Sequence, residues 1–192
     1  MDKETIHRCT WAENAEAIYQ NYHDNEWGVP VYEDQKLFEM LILEGMQAGL
    51  NWITVLKKRE AFREAFDGFD VARVAGYSEE KQKELLQNPG IIRNRLKIKA
   101  AVKNAAVFQQ IQKEYGSFSA YLWGFSEGRV MYRTQKELPT HTALSDEISA
   151  DLYKRGMRFV GSVIIYSYLQ AVGIVNDHEP DCFLHTSSKA CG

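Results

Sequence analysis

The chain has 192 residues, of which 45% are hydrophobic and 12% aromatic, and its formal net charge is −3. This composition supports a sizeable interior and excludes a chain that is disordered throughout. The N-terminal stretch lacks the apolar centre of a signal peptide, and no run approaches the roughly 18 apolar residues of a membrane span. We therefore expect a cytoplasmic protein with a single globular domain over residues 1–184 and a flexible tail at 185–192.

Apolar residues recur at helical spacing along nearly the whole chain, which predicts an all-α fold. Asp34 is expected to cap the first long helix, and a strand is expected at 129–133 at most. The segment 161–172 is apolar on nearly all faces, which predicts a central buried helix. The predicted helices cover, in chain order, residues 34–43, 52–66, 78–86, 93–115, 118–123, 145–155 and 161–172.

Residues 85–94 read LLQNPGIIRN and join two predicted helices through a Pro-Gly turn. In this helix-hairpin-helix pattern, backbone N–H groups at the start of the second helix bind a phosphate without reading base sequence. Gly90 would let the backbone approach the phosphate closely, and Arg93, Arg95 and Lys97 add charge in a segment, 85–113, that has no acidic residue. The alternative is an ordinary loop between two helices.

Two cysteines and two histidines form pairs near opposite ends of the sequence: Cys9 with His23, and His178 with Cys182. Such a set is a full tetrahedral shell for zinc and leaves no position open for water. If both pairs bind one ion, the metal is structural and ties the two ends together. Two alternatives remain: a disulfide between Cys9 and Cys182, which an intracellular chain disfavours, and a redox or zinc sensor that uses these thiols.

Glu44 follows an apolar run at a point where the pattern asks for another apolar residue, and it stands in a part of the chain rich in aromatic residues. A carboxylate at the edge of a core beside aromatic rings suits a cationic heteroaromatic ligand. The alternative is a solvent-facing glutamate near a helix end, with the aromatic residues packed in the core. The aromatic residues concerned are Trp11, Tyr19, Tyr22, Trp27 and Trp52.

Four stretches closely resemble the 3-methyladenine DNA glycosylase I family, and the similarity covers about residues 7–182 with the motifs in the same order. The resemblance implies a divergent member of the helix-hairpin-helix glycosylases, all-α, with one zinc ion joining its ends. The four stretches are YHDNEWGVP at 22–30, LFEMLILEGMQAGLNWITVLKKRE at 37–60, GIIRNRLKI at 90–98 and KRGMRFVGSVIIYSYLQAVGIVNDH at 154–178.

The resemblance also assigns roles to single residues. It implies that Glu44 hydrogen-bonds the excised base and that Gly49 and Leu50 lie in the loop that enters the gap left by the flipped nucleotide. Met46 departs from the family, in which Gln or Ser is commoner at this position. The zinc ligands would be Cys9, His23, His178 and Cys182; Tyr19, Tyr22 and Trp52 would enclose the base, with Trp11 at the pocket edge.

The function implied is removal of 3-methyladenine from alkylated double-stranded DNA by a monomer that binds without sequence specificity. Residues 85–113 hold neither the catalytic aspartate that typical superfamily members place after the hairpin nor a lysine directly after the hairpin glycine. We therefore expect hydrolysis of the glycosidic bond without strand cleavage. The alternative is a non-catalytic DNA-binding module that binds DNA in a salt-sensitive manner and releases no base.

Overall fold

The computed structural model describes residues 6–132 and 137–185. Within these ranges the chain is predominantly helical, which confirms the all-α prediction, and it adds one pair of short parallel strands. The helices are α1 (Thr10–Glu13), α2 (Ala17–Asn25), α3 (Asp34–Gln47), α4 (Trp52–Lys57), α5 (Arg59–Ala65), a 3₁₀ helix (Asp67–Phe69), α6 (Val71–Ala75), α7 (Glu79–Gln87), α8 (Arg95–Tyr115), α9 (Phe118–Gly124), α10 (Ala143–Arg155) and α11 (Ser162–Ala171); the strands are β1 (Met131–Tyr132) and β2 (Val175–Asn176).

Helices α3 and α11 form the centre of the fold. Every residue of α3 from Leu37 to Met46 is buried, and the hydroxyl of Tyr168 on α11 donates to the carbonyl of Leu37 at 3.0 Å. The prediction of a buried helix at 161–172 holds for all but one face of α11, where Val163 is exposed. Across the described ranges, no helix combines the length and the apolar character that crossing a bilayer requires.

The predicted helix over 52–66 is in fact two helices, because the helix is interrupted at Lys58, which lies between α4 and α5. The ammonium group of Lys58 donates to the carbonyls of Pro89 and Gly90 at 3.0 and 3.2 Å, so the break is tied to the Pro-Gly turn. The sequence prediction also missed α1, α2 and α6. Position 133 of the predicted strand and residues 186–192 of the predicted tail lie outside the described residues.

The predicted role of Asp34 as a cap of its own helix is wrong, because Glu33 is the N-cap residue of α3. The carboxylate of Asp34 instead accepts hydrogen bonds from the backbone N–H groups of Phe118 and Ser119, both at 2.8 Å, and from the side chain of Gln112 at 2.7 Å. It therefore stabilises the start of α9, which lies far away in sequence.

We expect Asp34→Ala to lower the free energy of unfolding by about 1–3 kcal/mol, because three donors lose their acceptor. Glu33→Ala is the matched control, since Glu33 is exposed and makes no side-chain cap bond. Urea unfolding of both variants measures the difference. Equal stability of the two variants would show that the bonds of Asp34 contribute nothing.

Candidate active site and metal centre

A cavity of about 220 Å³ opens between α2, the end of α3, the start of α4 and α11. The structure brings together all five residues that the sequence analysis assigned to a base pocket. It adds five that were not assigned there. The lining residues are Trp11, Tyr19, Tyr22, Trp27, Glu44, Gln47, Trp52, Leu138, Ser167 and Gln170.

Two pairs of aromatic rings form much of the cavity wall. Tyr22 and Trp52 are buried, with ring centroids 5.4 Å apart. Trp11 and Tyr19 are partly buried, with centroids 4.8 Å apart. Burial raises the pKa of the Tyr19 and Tyr22 phenols, so both rings stay neutral and present electron-rich faces. Such walls suit a flat, electron-poor ring.

Glu44 is buried at the cavity, with 3% of its surface exposed, so the alternative of a solvent-facing glutamate is wrong. Burial raises the pKa of Glu44 to about 8. Among the described residues, its Oε2 atom and the Nε1 atom of Trp52 have no hydrogen-bond partner. Since buried polar atoms are nearly always paired, one acceptor and one donor without partners at the same cavity are suited to a polar ligand.

The connection between α3 and α4 contains a tight turn that runs from Gln47 to Leu50. The N–H of Leu50 donates to the carbonyl of Gln47 at 2.6 Å. Ala48 has φ −43° and ψ 114°, and Gly49 has φ 77°. These angles match a type II turn, in which the third residue needs a positive φ and is usually glycine. Leu50 is 44% exposed and lies in sequence between the cavity residues Gln47 and Trp52.

The predicted hairpin is present as the loop between α7 and α8, with Arg93 and Arg95 exposed. Gly90 is packed against α5, since a Cβ atom there would lie 2.9 Å from the Cβ of Ala61. The N–H of Gly90 donates to the side chain of Asn88 at 2.8 Å.

The amide groups at the start of α8 are also already bonded. Asn94 is the N-cap of the helix, and its Oδ1 accepts from the N–H groups of Leu96 and Lys97 at 3.0 and 3.1 Å. The expectation that helix-start amides here are open to a phosphate is therefore wrong for these groups. The predicted helix begins at position 93, two residues before the observed start, so Asn94 was not predicted as the cap.

Lys97 was predicted to contact DNA phosphates, but its side chain points inward and is 7% exposed. Its ammonium group donates to the carbonyls of Met46 and Ala48 at 2.8 and 2.6 Å. A charge bonded in this way is not placed to meet a phosphate. Arg93 and Arg95 keep exposed side chains.

A second helix pair, α10 and α11, was not recognised from the sequence as a candidate site. Its connection is fixed to α8 by Asn104, whose side chain bonds both the N–H and the carbonyl of Arg158, each at 2.9 Å. Helix α11 starts after Gly161, and no side chain of the described residues caps it. Exposed amide groups at a helix start favour anions.

Cys9, His23, His178 and Cys182 form one buried group whose ligand atoms all lie within 4.8 Å of one another. The Sγ atoms of Cys9 and Cys182 are each 3.5 Å from the Nδ1 atom of His178, and Cys182 Sγ is 3.6 Å from His23 Nε2. Both cysteines are free thiols, so the disulfide alternative is wrong. Two cysteines and two histidines in this arrangement could hold a metal ion.

Outer contacts orient the two histidine rings of this group. The Nδ1 atom of His23 lies 2.8 Å from a carboxylate oxygen of Asp24, which Arg8 holds in turn through bonds of 2.7–3.0 Å. The Nε2 atom of His178 lies 3.2 Å from the carbonyl oxygen of Trp27. Supporting contacts of this kind fix the ring orientation of metal-binding histidines.

The same region joins the two ends of the described chain. The N–H of Phe183 donates to the carbonyl of His7 at 2.9 Å. The N–H and hydroxyl of Thr10 donate to the carboxylate of Glu179 at 2.9 and 2.7 Å. The group of Cys9, His23, His178 and Cys182 therefore lies where the N- and C-terminal segments meet.

Several cavity residues were missed because their signal is weak. Ser167 and Gln170 lie on α11 at a spacing of three, so they share a face of an otherwise apolar helix. Two polar residues on one face of an apolar helix are a sequence pattern from which this side of the cavity could have been predicted. Gln170 donates to the buried carboxylate of Asp177 at 2.7 Å. Asp177 also accepts a short hydrogen bond from Tyr166, and it does not line the cavity.

The family comparison agrees with this architecture over nearly the whole chain. A family model described as methyladenine glycosylase matches residues 11–185. DNA-3-methyladenine glycosylase 1 of Escherichia coli (strain K12) is 46% identical over 187 residues, which cover 96% of this chain and 100% of that protein. A crystal structure of 3-methyladenine DNA glycosylase I is similar with a TM-score of 0.89 and 48% identity, covering 93% of this chain and 100% of the other.

A third similar protein is 3-methyladenine DNA glycosylase I from Staphylococcus aureus, whose structure addresses the basis of 3-methyladenine recognition. It is 36% identical with a TM-score of 0.87, and the match covers 91% of this chain and 94% of that one. The family match and these full-length similarities lead to one conclusion. The chain belongs to the methyladenine glycosylase family.

Proposed function

We propose that this protein hydrolyses the N-glycosidic bond of 3-methyladenine in alkylated double-stranded DNA, releasing the free base and leaving an abasic site. The observation that carries the proposal is the buried carboxyl group of Glu44, without a partner on Oε2, in a cavity walled by aromatic rings. Family membership and the names of the full-length relatives support the same reaction.

The charge of the substrate explains why such a cavity suffices. Adenine methylated at N3 within DNA is cationic, so its glycosidic bond is already weakened and the leaving group needs no proton. The enzyme flips the nucleotide at a cost of a few kcal/mol and holds the charged base. The aromatic faces contribute cation–π attraction of about 0.5–2 kcal/mol.

Glu44 is proposed to recognise this cation. Its raised pKa of about 8 means that the carboxyl group of the free protein is mainly neutral at physiological pH. Entry of a cation favours the ionised form, so binding expels a proton and creates a charge-assisted hydrogen bond to the base. Among the described residues lining the cavity, Glu44 is the one carboxylic acid. A pocket without a further catalytic acid or base removes only bases whose glycosidic bond is already weakened, and this is the proposed source of selectivity.

The DNA-binding surface is proposed to surround the mouth of this cavity. Leu50 would fill the gap left by the flipped nucleotide, while Arg93, Arg95 and the start of α11 contact phosphates. Such contacts read the backbone, so a monomer would bind duplex DNA without sequence specificity. The buried position of Lys97 removes it from this set.

We expect Arg93→Ala to weaken binding equally across DNA sequences and to reduce the salt dependence of the affinity by about one phosphate contact. Fluorescence anisotropy at several salt concentrations measures both effects. Lys113→Ala is the control, because Lys113 is exposed near the other end of the same helix. An unchanged salt slope for Arg93→Ala would remove this residue from the interface.

The metal is proposed to be one structural zinc ion bound by Cys9, His23, His178 and Cys182. Tetrahedral zinc with usual bond lengths places sulfur and nitrogen ligands about 3.6 Å apart. The three sulfur–nitrogen distances given above are 3.5, 3.5 and 3.6 Å, so these residues fit the ion. With four protein ligands, zinc would supply cohesion between the chain ends and no reaction chemistry.

The activity is tested by incubating the protein with methylated duplex DNA. We expect free 3-methyladenine to appear in the chromatogram while the DNA strand stays intact until alkali cleaves the abasic site. The alternative of a non-catalytic module predicts salt-sensitive DNA binding and no released base. That outcome would overturn the proposal.

A further inference from the structure

The side chain of Lys97 is the one charged group at the start of α8 that the described structure buries. Its neighbours Arg95 and Lys99 are exposed on the same helix. The Lys97 ammonium instead reaches the end of α3 and donates to the carbonyls of Met46 and Ala48 at 2.8 and 2.6 Å. The last carbonyl groups of a helix lack partners within the helix and carry partial negative charge, so a cation is stabilised there.

These two carbonyl groups belong to the segment that carries Leu50. Ala48 and Gly49 are the central residues of the turn from Gln47 to Leu50. Glu44, four residues before Ala48, lies at the start of the last turn of α3. Lys97 therefore connects the hairpin helix α8 to the turn that ends in Leu50 and to the helix end that supplies Glu44.

The Lys97 ammonium has no carboxylate partner among the described residues, and its contacts there are the two carbonyl groups and the ring of Phe159, 6.0 Å away. Burying a charge that lacks an ion-pair partner is costly. An apolar residue of similar length would avoid that cost, but it could not hold two carbonyl groups in one orientation. Lys97 is thus a buried charge that lowers stability by its desolvation but holds the turn from Gln47 to Leu50 in one orientation.

We propose that Lys97 is a positioning residue that holds the Gln47–Leu50 turn so that Leu50 enters the gap left by the flipped nucleotide. The inference rests on the proposed glycosylase function. It assigns to Lys97 an effect on nucleotide flipping that acts through Leu50, and no direct contact with base or phosphate.

The experiment is a double-mutant cycle of Lys97→Met, Leu50→Ala and the double variant, with wild type and Lys113→Met measured in parallel. Single-turnover release of 3-methyladenine from duplex DNA reports flipping and excision, and titration with free 3-methyladenine reports the pocket. Lys113→Met removes an equal charge from an exposed position on α8. Thermal melting confirms that each variant is folded.

We expect Lys97→Met to slow excision by about 10- to 100-fold, the range for losing hydrogen bonds to a charged group. Affinity for the free base should stay within about twofold of wild type, because no pocket atom is removed. In the Leu50→Ala background the same substitution should have little further effect, since the residue that it positions is gone. Lys113→Met should excise at the wild-type rate.

Additive effects of the two substitutions would overturn the inference, as would a normal rate for Lys97→Met. If Lys97→Met does not fold, the cycle is repeated with Lys97→Arg, which keeps the charge and several donors; its smaller loss should again vanish when Leu50 is alanine. Failure of the wild-type protein to release base would instead refute the proposed function, so the two failures are distinguishable.

Discussion

Chelation of the proposed zinc ion is expected to unfold the N-terminal segment and to abolish base release in the same step. Helices α1 and α2 carry three of the pocket rings, and the group of Cys9, His23, His178 and Cys182 lies where this segment meets the C-terminal one. Binding of structural zinc contributes roughly 10 kcal/mol or more in small domains, comparable to the whole 5–15 kcal/mol stability of a typical protein. We therefore expect a large fall in melting temperature.

Cys182→Ser tests the same point without a chelator, and it should destabilise the protein and weaken binding of free 3-methyladenine together. Cys191→Ser serves as the control for losing a thiol; Cys191 lies outside the described residues. Metal-free protein that stays folded and excises at the normal rate would refute the structural role. A graded, reversible change in activity with metal or oxidant would favour the sensor alternative.

Replacing Glu44 by glutamine is expected to change how stability depends on pH. In the folded protein burial raises the pKa of Glu44 to about 8, from an ordinary value of about 4.5. Because the pKa is higher in the folded than in the unfolded protein, the contribution of Glu44 to the free energy of unfolding is fully present below about pH 4.5. It falls by roughly 1.4 kcal/mol per pH unit as the pH rises from there to about 8. Glu44→Gln should remove this loss and become the more stable protein toward pH 8.

Urea unfolding between pH 5 and pH 8 measures this difference, with Glu147→Gln as the control at an exposed glutamate. Catalysis should show the opposite dependence on pH. Since a bound cation favours ionised Glu44, kcat/KM for methylated DNA should rise with pH and level off near about 8 in the wild type only. If the free energies of unfolding of wild type and Glu44→Gln changed in the same way with pH, this would contradict a raised pKa for the buried carboxyl group of Glu44.

The sequence predicted the features that local pattern or a motif can carry. Apolar periodicity located the long helices α3, α8 and α11 within a few residues. The paired Cys and His residues, with the resemblance, identified the four residues that the structure brings together. The aromatic residues that the sequence grouped with Glu44 likewise line the cavity.

Contacts between distant segments could not be predicted in this way. Asp34 caps a helix more than 80 residues away, and Lys97 bonds carbonyl groups about 50 residues before it. In sequence, each looks like an ordinary surface residue of its own helix. Asn94 was missed because a helix boundary shifted by two positions changes which residue is the cap.

The central claim is that the pocket recognises a cationic base and that Glu44 contributes recognition more than acid–base chemistry. It is tested by comparing Glu44→Gln with wild type in two numbers: affinity for the cationic base, measured as the half-saturating concentration of methylated duplex DNA, and the single-turnover rate constant at saturating methylated DNA. We expect the affinity to fall by about 10- to 100-fold, as for loss of a charge-assisted hydrogen bond, with a much smaller fall in the rate constant. A rate constant reduced by about 10⁴ with unchanged base affinity would contradict the claim and make Glu44 a general acid or base.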